Sequence, residues 1–140
     1  MQKIIIIVIF ATILSGCATG AKSYKHASLP IDESCEVFVF RDVFVLVWSL
    51  SVESEGNEYA SLSDNTYASF QLPAGQREIK FTWGFGSGGV PLTVPLKCVA
   101  TETVNISVRG SYSGNTRTIV ANIISDDSAE TRKVTHQKAE

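Results

Sequence analysis

Cysteine is the residue type whose positions carry the most chemical information in this chain. The sequence contains three cysteines, and Cys17 follows Ser15 and Gly16 at the end of the apolar run 4–14. A thiol can act as a nucleophile and be alkylated to a thioether, and small residues before it suit the cleft of a peptidase. Cys17 is therefore the first candidate in this sequence for a chemically modified residue.

The segment before Cys17 has the organisation of an export signal. Residues 1–3 are short and positively charged, and the apolar run 4–14 follows directly,. As a helix this run would rise only about 16 Å, which is roughly half of a bilayer's hydrocarbon core. We therefore expect residues 1–16 to be a removable signal peptide. The alternatives are an ordinary secretory signal followed by a coincidental cysteine, or a buried free thiol in a core helix.

The tetrapeptide Leu14, Ser15, Gly16 and Cys17 resembles the lipobox of bacterial lipoproteins. The resemblance implies that Cys17 becomes the first residue of the mature protein and carries acyl chains, which together hold a protein stably at a membrane. Ala18 follows, where an Asp tends to retain such proteins at the inner membrane. The expected location is therefore the periplasmic face of a bacterial outer membrane, with the inner membrane as the alternative.

The other two cysteines form an even pair in a chain expected to reach an oxidising compartment. Cys35 and Cys98 are 63 positions apart, and we predict a disulfide between them. Two separate buried thiols are the alternative. A redox site would need Cys-x-x-Cys spacing, and a metal site would have only His26 and His136, one in each predicted tail, to help. The sequence thus predicts no metal and no cofactor.

Other patterns that could support chemistry are incomplete. Residues 84–89 fit G-x-G-x-x-G, but Pro91 and Pro95 forbid the helix that would hold a pyrophosphate, so we expect no nucleotide binding,. Residues 63–65 match one of three motifs of penicillin-recognising enzymes, and the other two are absent from the sequence. A nucleophilic triad would need a histidine inside the fold. The sequence therefore favours a non-enzymatic protein.

Composition and charge narrow the class of protein further. With 140 residues the chain is long enough for one domain, and 44% hydrophobic against 19% charged residues is typical of a folded core,. The formal net charge is -2, without a basic stripe. We therefore expect no nucleic-acid partner.

Two aromatic residues are the candidate contacts for a protein partner in the envelope. Trp48 lies in the apolar run 43–52, and Phe85 lies in the glycine-rich loop. Strand addition or loop insertion would use them. Arg41 closes an otherwise apolar strand, which predicts a salt-bridged strand end, with a conformational anchor or ligand contact as the alternative.

Alternating apolar residues predict about seven short strands and no helix. In residues 66–72 every second side chain is apolar, and Ile79, Phe81 and Trp83 repeat this pattern after a turn at residues 73–75,. The fold class expected is all-β, a small two-sheet antiparallel β-sandwich over residues 35–125, with a small β-barrel as the alternative. Residues 17–34 would be the lipidated cysteine and a flexible tether, and residues 126–140 a flexible tail.

The chain resembles a bacterial lipoprotein family known as domain of unknown function 2846 in its lipobox, a linker ending in Pro30 and Cys35, the strand at residues 37–41 and the unit at residues 67–76. The strand, Pro-x-Gly turn, strand unit also occurs in carboxypeptidase-regulatory-like and PEGA-like sandwiches. The resemblance covers residues 14–110 and implies a fold more than an activity. We expect a lipid-anchored, non-enzymatic accessory for binding or assembly in the envelope. The alternatives are a ligand-binding lipoprotein with an apolar pocket between its sheets, and an envelope hydrolase with an unrecognised site.

Overall fold

The computed structural model describes residues 20–43, 48–84 and 88–140. These residues form strands, one α-helix and a short 3₁₀ turn at Ile31–Glu33. The elements are β1 (Lys22–Ser23), β2 (Ser34–Arg41), β3 (Leu50–Ser54), β4 (Asn57–Leu62), β5 (Thr66–Pro73), β6 (Gly75–Trp83), β7 (Leu92–Cys98), β8 (Thr103–Ser113), β9 (Thr116–Ile124), α1 (Asp126–Thr135) and β10 (Gln137–Lys138).

The strands form two five-stranded sheets. The first sheet has the order β1-β4-β3-β6-β7, and the second has the order β10-β5-β2-β8-β9. The sheets are not closed into a barrel. The predicted β-sandwich is therefore confirmed, and the barrel alternative is wrong.

The core lies between the sheets, and on β3, β5 and β6 buried positions alternate with less buried ones,. On β5, Ala68 and Leu72 are buried, and on β6, Ile79 and Phe81 are buried. The predicted turn between these strands is present, with Gly75 at a φ of +122° that a side chain would strain,. Each sheet thus contributes a buried face to the core.

The sequence predicted a purely antiparallel sandwich, but two pairs of strands are parallel. β2 pairs with β8 in parallel, and β10 pairs with β5 in parallel. The chain leaves the first sheet after β7, and residues 99–102 carry it across to the second sheet beside β2. A parallel pair requires such a crossover, so adjacent hairpins could not reveal it.

The described part of the chain also has ten strands rather than about seven. Two of the additional strands, β1 and β10, have two residues each. The third is β7, which the sequence analysis did not include among the strands. β7 is an edge strand, and a proline is tolerated there because the missing N–H would face away from the sheet,.

The segment expected to be a tether is joined to the fold from Lys22 onward. β1 pairs with β4, and Tyr24 N donates to Tyr59 O at 3.0 Å. Ser23 N also donates to Glu140 O at 2.7 Å. The N-terminal and C-terminal segments therefore meet at the side where β4 and β5 lie.

Residues 126–140 form a helix and a short strand rather than an irregular tail. Ser125 caps α1 by accepting from Ser128 N, and acidic residues stand in the first turn,. Ala129 is the buried residue of the helix, and β10 then adds to β5. The helix was missed because it carries almost no apolar stripe to signal its period.

Candidate functional site

A groove of about 590 Å³ opens on the outer side of the second sheet. We call it the polar groove. Its lining combines hydroxyl, carboxylate and amide side chains with two aromatic rings and a histidine: Ser23, Tyr24, Lys25, His26, Ala27, Ser28, Ile31, Ser34, Glu36, Ser69, Phe70, Gln71, Thr101, Glu102 and Thr103.

Three neighbouring strands position the floor of the polar groove. Glu36 on β2 lies opposite Gln71 on β5 and opposite Thr103 on β8. The segment that precedes β2 forms the wall, where Leu29 N donates to Gln71 Oε1 at 3.0 Å and Ser34 Oγ donates to Pro30 O at 2.7 Å. Strands thus supply the floor of the groove, and residues 24–28 with the turn at residues 101–102 complete its lining.

Thr101 lines the polar groove in a left-handed conformation, with a φ of +68°. A β-branched residue rarely adopts this conformation, and such strain costs on the order of 1–3 kcal/mol. Thr101 N donates to Ser34 O at 2.9 Å, and Glu102 N donates to Val99 O at 3.1 Å. The strained turn is therefore held in place from both sides, and strain of this kind is often found at binding sites.

An aromatic stack supports the far wall of the groove. The His26 ring lies 4.1 Å from that of Tyr59, and the Tyr59 ring lies 4.6 Å from that of Phe70. His26 Nε2 is 2.8 Å from Glu58 O. Burial, reinforced by the charge of Glu55, raises the pKa of Tyr59. The Tyr59 phenol therefore stays neutral over the physiological range and supplies no base.

A second polar cluster joins α1 to the outer face of the second sheet. Ser107 Oγ donates to Asp42 Oδ2 at 2.6 Å, and Arg132 donates to both oxygens of Asp42 at 3.1 and 3.2 Å. His136 Nε2 lies 3.1 Å from Asp42 Oδ1. Serine, aspartate and histidine are thus neighbours, which calls for a test of the hydrolase alternative.

The connections in this cluster do not match those of a nucleophilic triad. A triad places the histidine between the serine and the carboxylate, so that the imidazole removes the hydroxyl proton. Here the carboxylate of Asp42 lies in the middle. Burial alone would raise the pKa of Asp42, but hydrogen bonds from Arg132 and Ser107 and nearby positive charge lower it overall. The cluster fixes the helix to the sheet and does not activate Ser107.

Arg41 is a salt-bridged strand end, as predicted, and its partner is Asp64. Its Nη2 lies 2.8 Å from Asp64 Oδ1, and its Nη1 donates to Trp48 O at 2.7 Å and to Leu62 O. The residue is 1% exposed. This burial leaves it no surface on which to meet a ligand.

The remaining predicted site residues have different outcomes. Cys35 and Cys98 form the predicted disulfide, with their Cα atoms 5.4 Å apart. Trp48 is half-buried, and the guanidinium of Arg117 lies 3.7 Å from the centre of its ring. Cys17 and Phe85 lie outside the described residues, as do residues 44–47 of the apolar run.

Sequence reasoning missed the residues that build the polar groove and the Asp42 cluster. Thr101 carries no sequence signal, because a left-handed threonine looks like any other turn residue. Arg132 and His136 were assigned to a tail, although Ser125 followed by two acidic residues is a helix-start pattern that could have indicated α1,.

The described residues contain no group of three or more His, Cys, Asp or Glu side chains that could hold a metal ion. Within that same part of the chain, no helix has the length and apolar character that crossing a membrane requires. Comparison with known proteins adds no relationship: no family model, no curated protein and no solved structure matches this chain.

Proposed function

We propose that this protein is a lipid-anchored β-sandwich at the periplasmic face of a bacterial outer membrane. It acts there without catalysis, as an accessory that binds other envelope components. The observation that carries the proposal is the tetrapeptide Leu14–Cys17, which closes an apolar run of signal-peptide length,. Acyl chains on that sulfur would provide the anchor.

The place where the chain enters the fold supports a close anchor. Lys22 already belongs to β1, and only five peptide units separate it from Cys17. Five residues span at most about 18 Å even when fully extended. A lipid on Cys17 would therefore hold the sandwich next to the membrane surface, closer than a free tether over residues 17–34 would.

The side-chain geometry supports a non-enzymatic role. The Ser107, Asp42 and His136 cluster lacks a base on the serine, and the Tyr59 phenol stays neutral. The ligand-binding alternative predicts an apolar pocket between the sheets, but the buried side chains there pack against one another as core. The polar groove opens at the surface instead.

The anchor is tested with the full chain expressed in a bacterium with an outer membrane. The wild-type protein should incorporate a labelled fatty acid, lose residues 1–16 and sediment with outer membranes. Cys17→Ser should show no label and keep its signal peptide. A Cys35→Ser, Cys98→Ser variant is the matched control, since it loses the other two cysteines but keeps Cys17 and should still be labelled. An unlabelled wild-type chain, or labelled Cys17→Ser, would contradict the proposal.

A second candidate function follows from the polar groove. We infer that the groove binds a hydroxylated ligand of the saccharide class. Its volume of about 590 Å³ is within the range of ligand sites,. Glu36, Glu102 and Gln71 can pair with ligand hydroxyls, and Tyr24, which is 39% exposed, offers a ring face to the apolar side of a sugar,.

The probes for this second function are N-acetylglucosamine oligosaccharides, added to the full chain in detergent and followed by calorimetry. Glu102→Gln and Tyr24→Ala should each weaken binding about ten-fold, as expected for the loss of one good contact. Glu78→Gln, an exposed carboxylate on β6, is the matched control and should bind like wild type. No heat of binding, or equal binding by all variants, would remove the groove from consideration as a saccharide site.

A further inference from the structure

β9 differs from the other strands at the sheet edges of the described chain. β1 and β10 have two residues each, and β7 is interrupted by Pro95. β9 has nine residues, no proline and a single charge, at Arg117. Natural proteins commonly protect a long edge strand with prolines, charges or a covering element, because its free backbone groups can pair with another strand.

The backbone contacts of the neighbouring strand show which groups of β9 point outward. In an antiparallel pair, residues direct both backbone groups toward the partner strand or both away, in alternation. Val108 O accepts from Asp42 N at 2.9 Å, so the backbone N–H and C=O of Val108 point toward β2 and away from β9. The backbone N–H and C=O of its partner Ala121 must then point away from β8.

A second contact agrees with this assignment. Val90 N donates to Arg117 O at 3.1 Å, which places Arg117 in the same outward set, four residues before Ala121. Ile119, Ala121 and Ile123 complete the set. No hydrogen bond from the described residues reaches their outward N–H and C=O groups, and Ile123 is 66% exposed.

We propose that β9 pairs antiparallel with β9 of a second copy of this chain, around a two-fold axis at Ala121. This register places Ile119 opposite Ile123 of the partner, and Ala121 opposite its own equivalent. All three outward residues of each strand are then paired, giving six backbone hydrogen bonds. Moving the axis by one residue, to Val120, places Ile123 opposite Arg117, whose carbonyl already accepts from Val90.

The charges around β9 favour a second copy as the occupant. Residues 118–124 carry no charge, so pairing the strand with itself opposes no like charges,. Arg117 stands at one end of β9, and Asp126 and Asp127 follow the other end. Antiparallel pairing brings the cationic end of each copy beside the acidic end of the other. A symmetric interface needs this kind of self-complementarity.

Site-directed cross-linking tests the register. Directly opposite residues in a hydrogen-bonded pair have Cα atoms about 5.5 Å apart, which suits a disulfide. The full chain with Ala121→Cys, in detergent under mild oxidation, should give at least about ten-fold more disulfide-linked dimer than Thr118→Cys, whose equivalents would lie about 20 Å apart. Equal dimer from both variants would overturn the proposal.

A second variant tests the pairing without a new thiol. Ala121→Pro removes an outward N–H and leaves the ladder to β8 intact, so the fold should be retained, as checked by circular dichroism. Sedimentation equilibrium should find a dimer for the wild type and a monomer for Ala121→Pro. A monomeric wild type, or a disulfide adduct of Ala121→Cys with another envelope protein in place of the dimer, would refute self-pairing.

Discussion

Arg41 shows how a single charged side chain can organise several segments of a sandwich. Its guanidinium reaches the carbonyls of Trp48 and Leu62 and the carboxylate of Asp64, and it lies 5.4 Å from the centre of the Trp83 ring. Burial lowers its pKa, and Asp64 opposes that change. A buried charge is tolerated here because its hydrogen bonds are satisfied.

Arg41→Met should therefore destabilise the protein by about 3 kcal/mol, because it leaves two carbonyls and one carboxylate without their donor. Urea unfolding at neutral pH measures this loss. Arg109→Met is the matched control: Arg109 is exposed on β8, and its replacement should cost less than about 0.5 kcal/mol,. Equal midpoints for the two variants would show that the buried network does not stabilise the fold.

The backbone strain at Thr101 can be measured by replacing the residue and following the free energy of unfolding. Asparagine tolerates the left-handed region better than threonine, so Thr101→Asn should raise the free energy of unfolding by about 0.5–1 kcal/mol. Thr103→Asn on β8 is the control and should be neutral or slightly destabilising, since asparagine is a poor strand residue. A less stable Thr101→Asn variant would mean that the threonine side chain supports the turn.

At the scale of elements, α1 is held by polar contacts rather than by an apolar face. Arg132 and His136 meet Asp42, Lys133 Nζ lies 4.0 Å from the centre of the Phe38 ring, and Ala129 is the buried apolar residue. The docking of α1 should therefore respond to pH more than the core does.

The direction of that response follows from Asp42, whose native pKa lies below its ordinary value. The unfolded chain binds the proton more readily, so the stabilisation is complete above about pH 4 and is lost as pH falls through the native pKa. Asp42→Asn should cost about 1–2 kcal/mol at pH 7 and remove this part of the acid sensitivity.

The protection of the amides in residues 126–138 against hydrogen exchange, measured at pH 7 and at pH 3, reports whether the helix is docked. Asp32→Asn, an exposed carboxylate in the 3₁₀ turn, is the control and should exchange like wild type. If the Asp42→Asn variant exchanges its amides in this segment as the wild type does, Asp42 does not hold the helix in place.

The strands that the sequence predicts well are those whose burial alternates. Alternation over residues 66–72, and again at Ile79, Phe81 and Trp83, predicted two strands, which occur as β5 and β6 at Thr66–Pro73 and Gly75–Trp83. β7 was missed because an edge strand tolerates proline, and α1 because its contacts are polar. The polar groove was beyond prediction, since it depends on the parallel placement of β8 beside β2, which local pattern does not encode.

At the scale of the whole molecule, the disulfide joins the two sheets. Cys35 belongs to β2 in the second sheet and Cys98 to β7 in the first, 63 residues apart. In the chain-entropy account, closing a loop of this length stabilises the fold by about 4 kcal/mol. The bridge also lies beside the turn that carries Thr101, so it supports one end of the polar groove.

The Cys35→Ser, Cys98→Ser variant should therefore unfold at a markedly lower urea concentration, with a loss of about 4 kcal/mol. Reduction of the wild type should give the same midpoint, which controls for the serine substitutions. Identical unfolding of the oxidised and reduced wild type would contradict the prediction.

The parallel pairing of β2 and β8 has a consequence for how the chain folds. β2 is the first long strand in the described sequence, yet its two neighbours are β5 and β8, and the second of these is separated from it by β3 to β7. Distant pairings of this kind raise contact order and slow folding toward milliseconds to seconds. The centre of the second sheet is thus completed only after most of the chain is available, and a truncated chain ending before Thr103 would leave β2 with one edge open to aggregation.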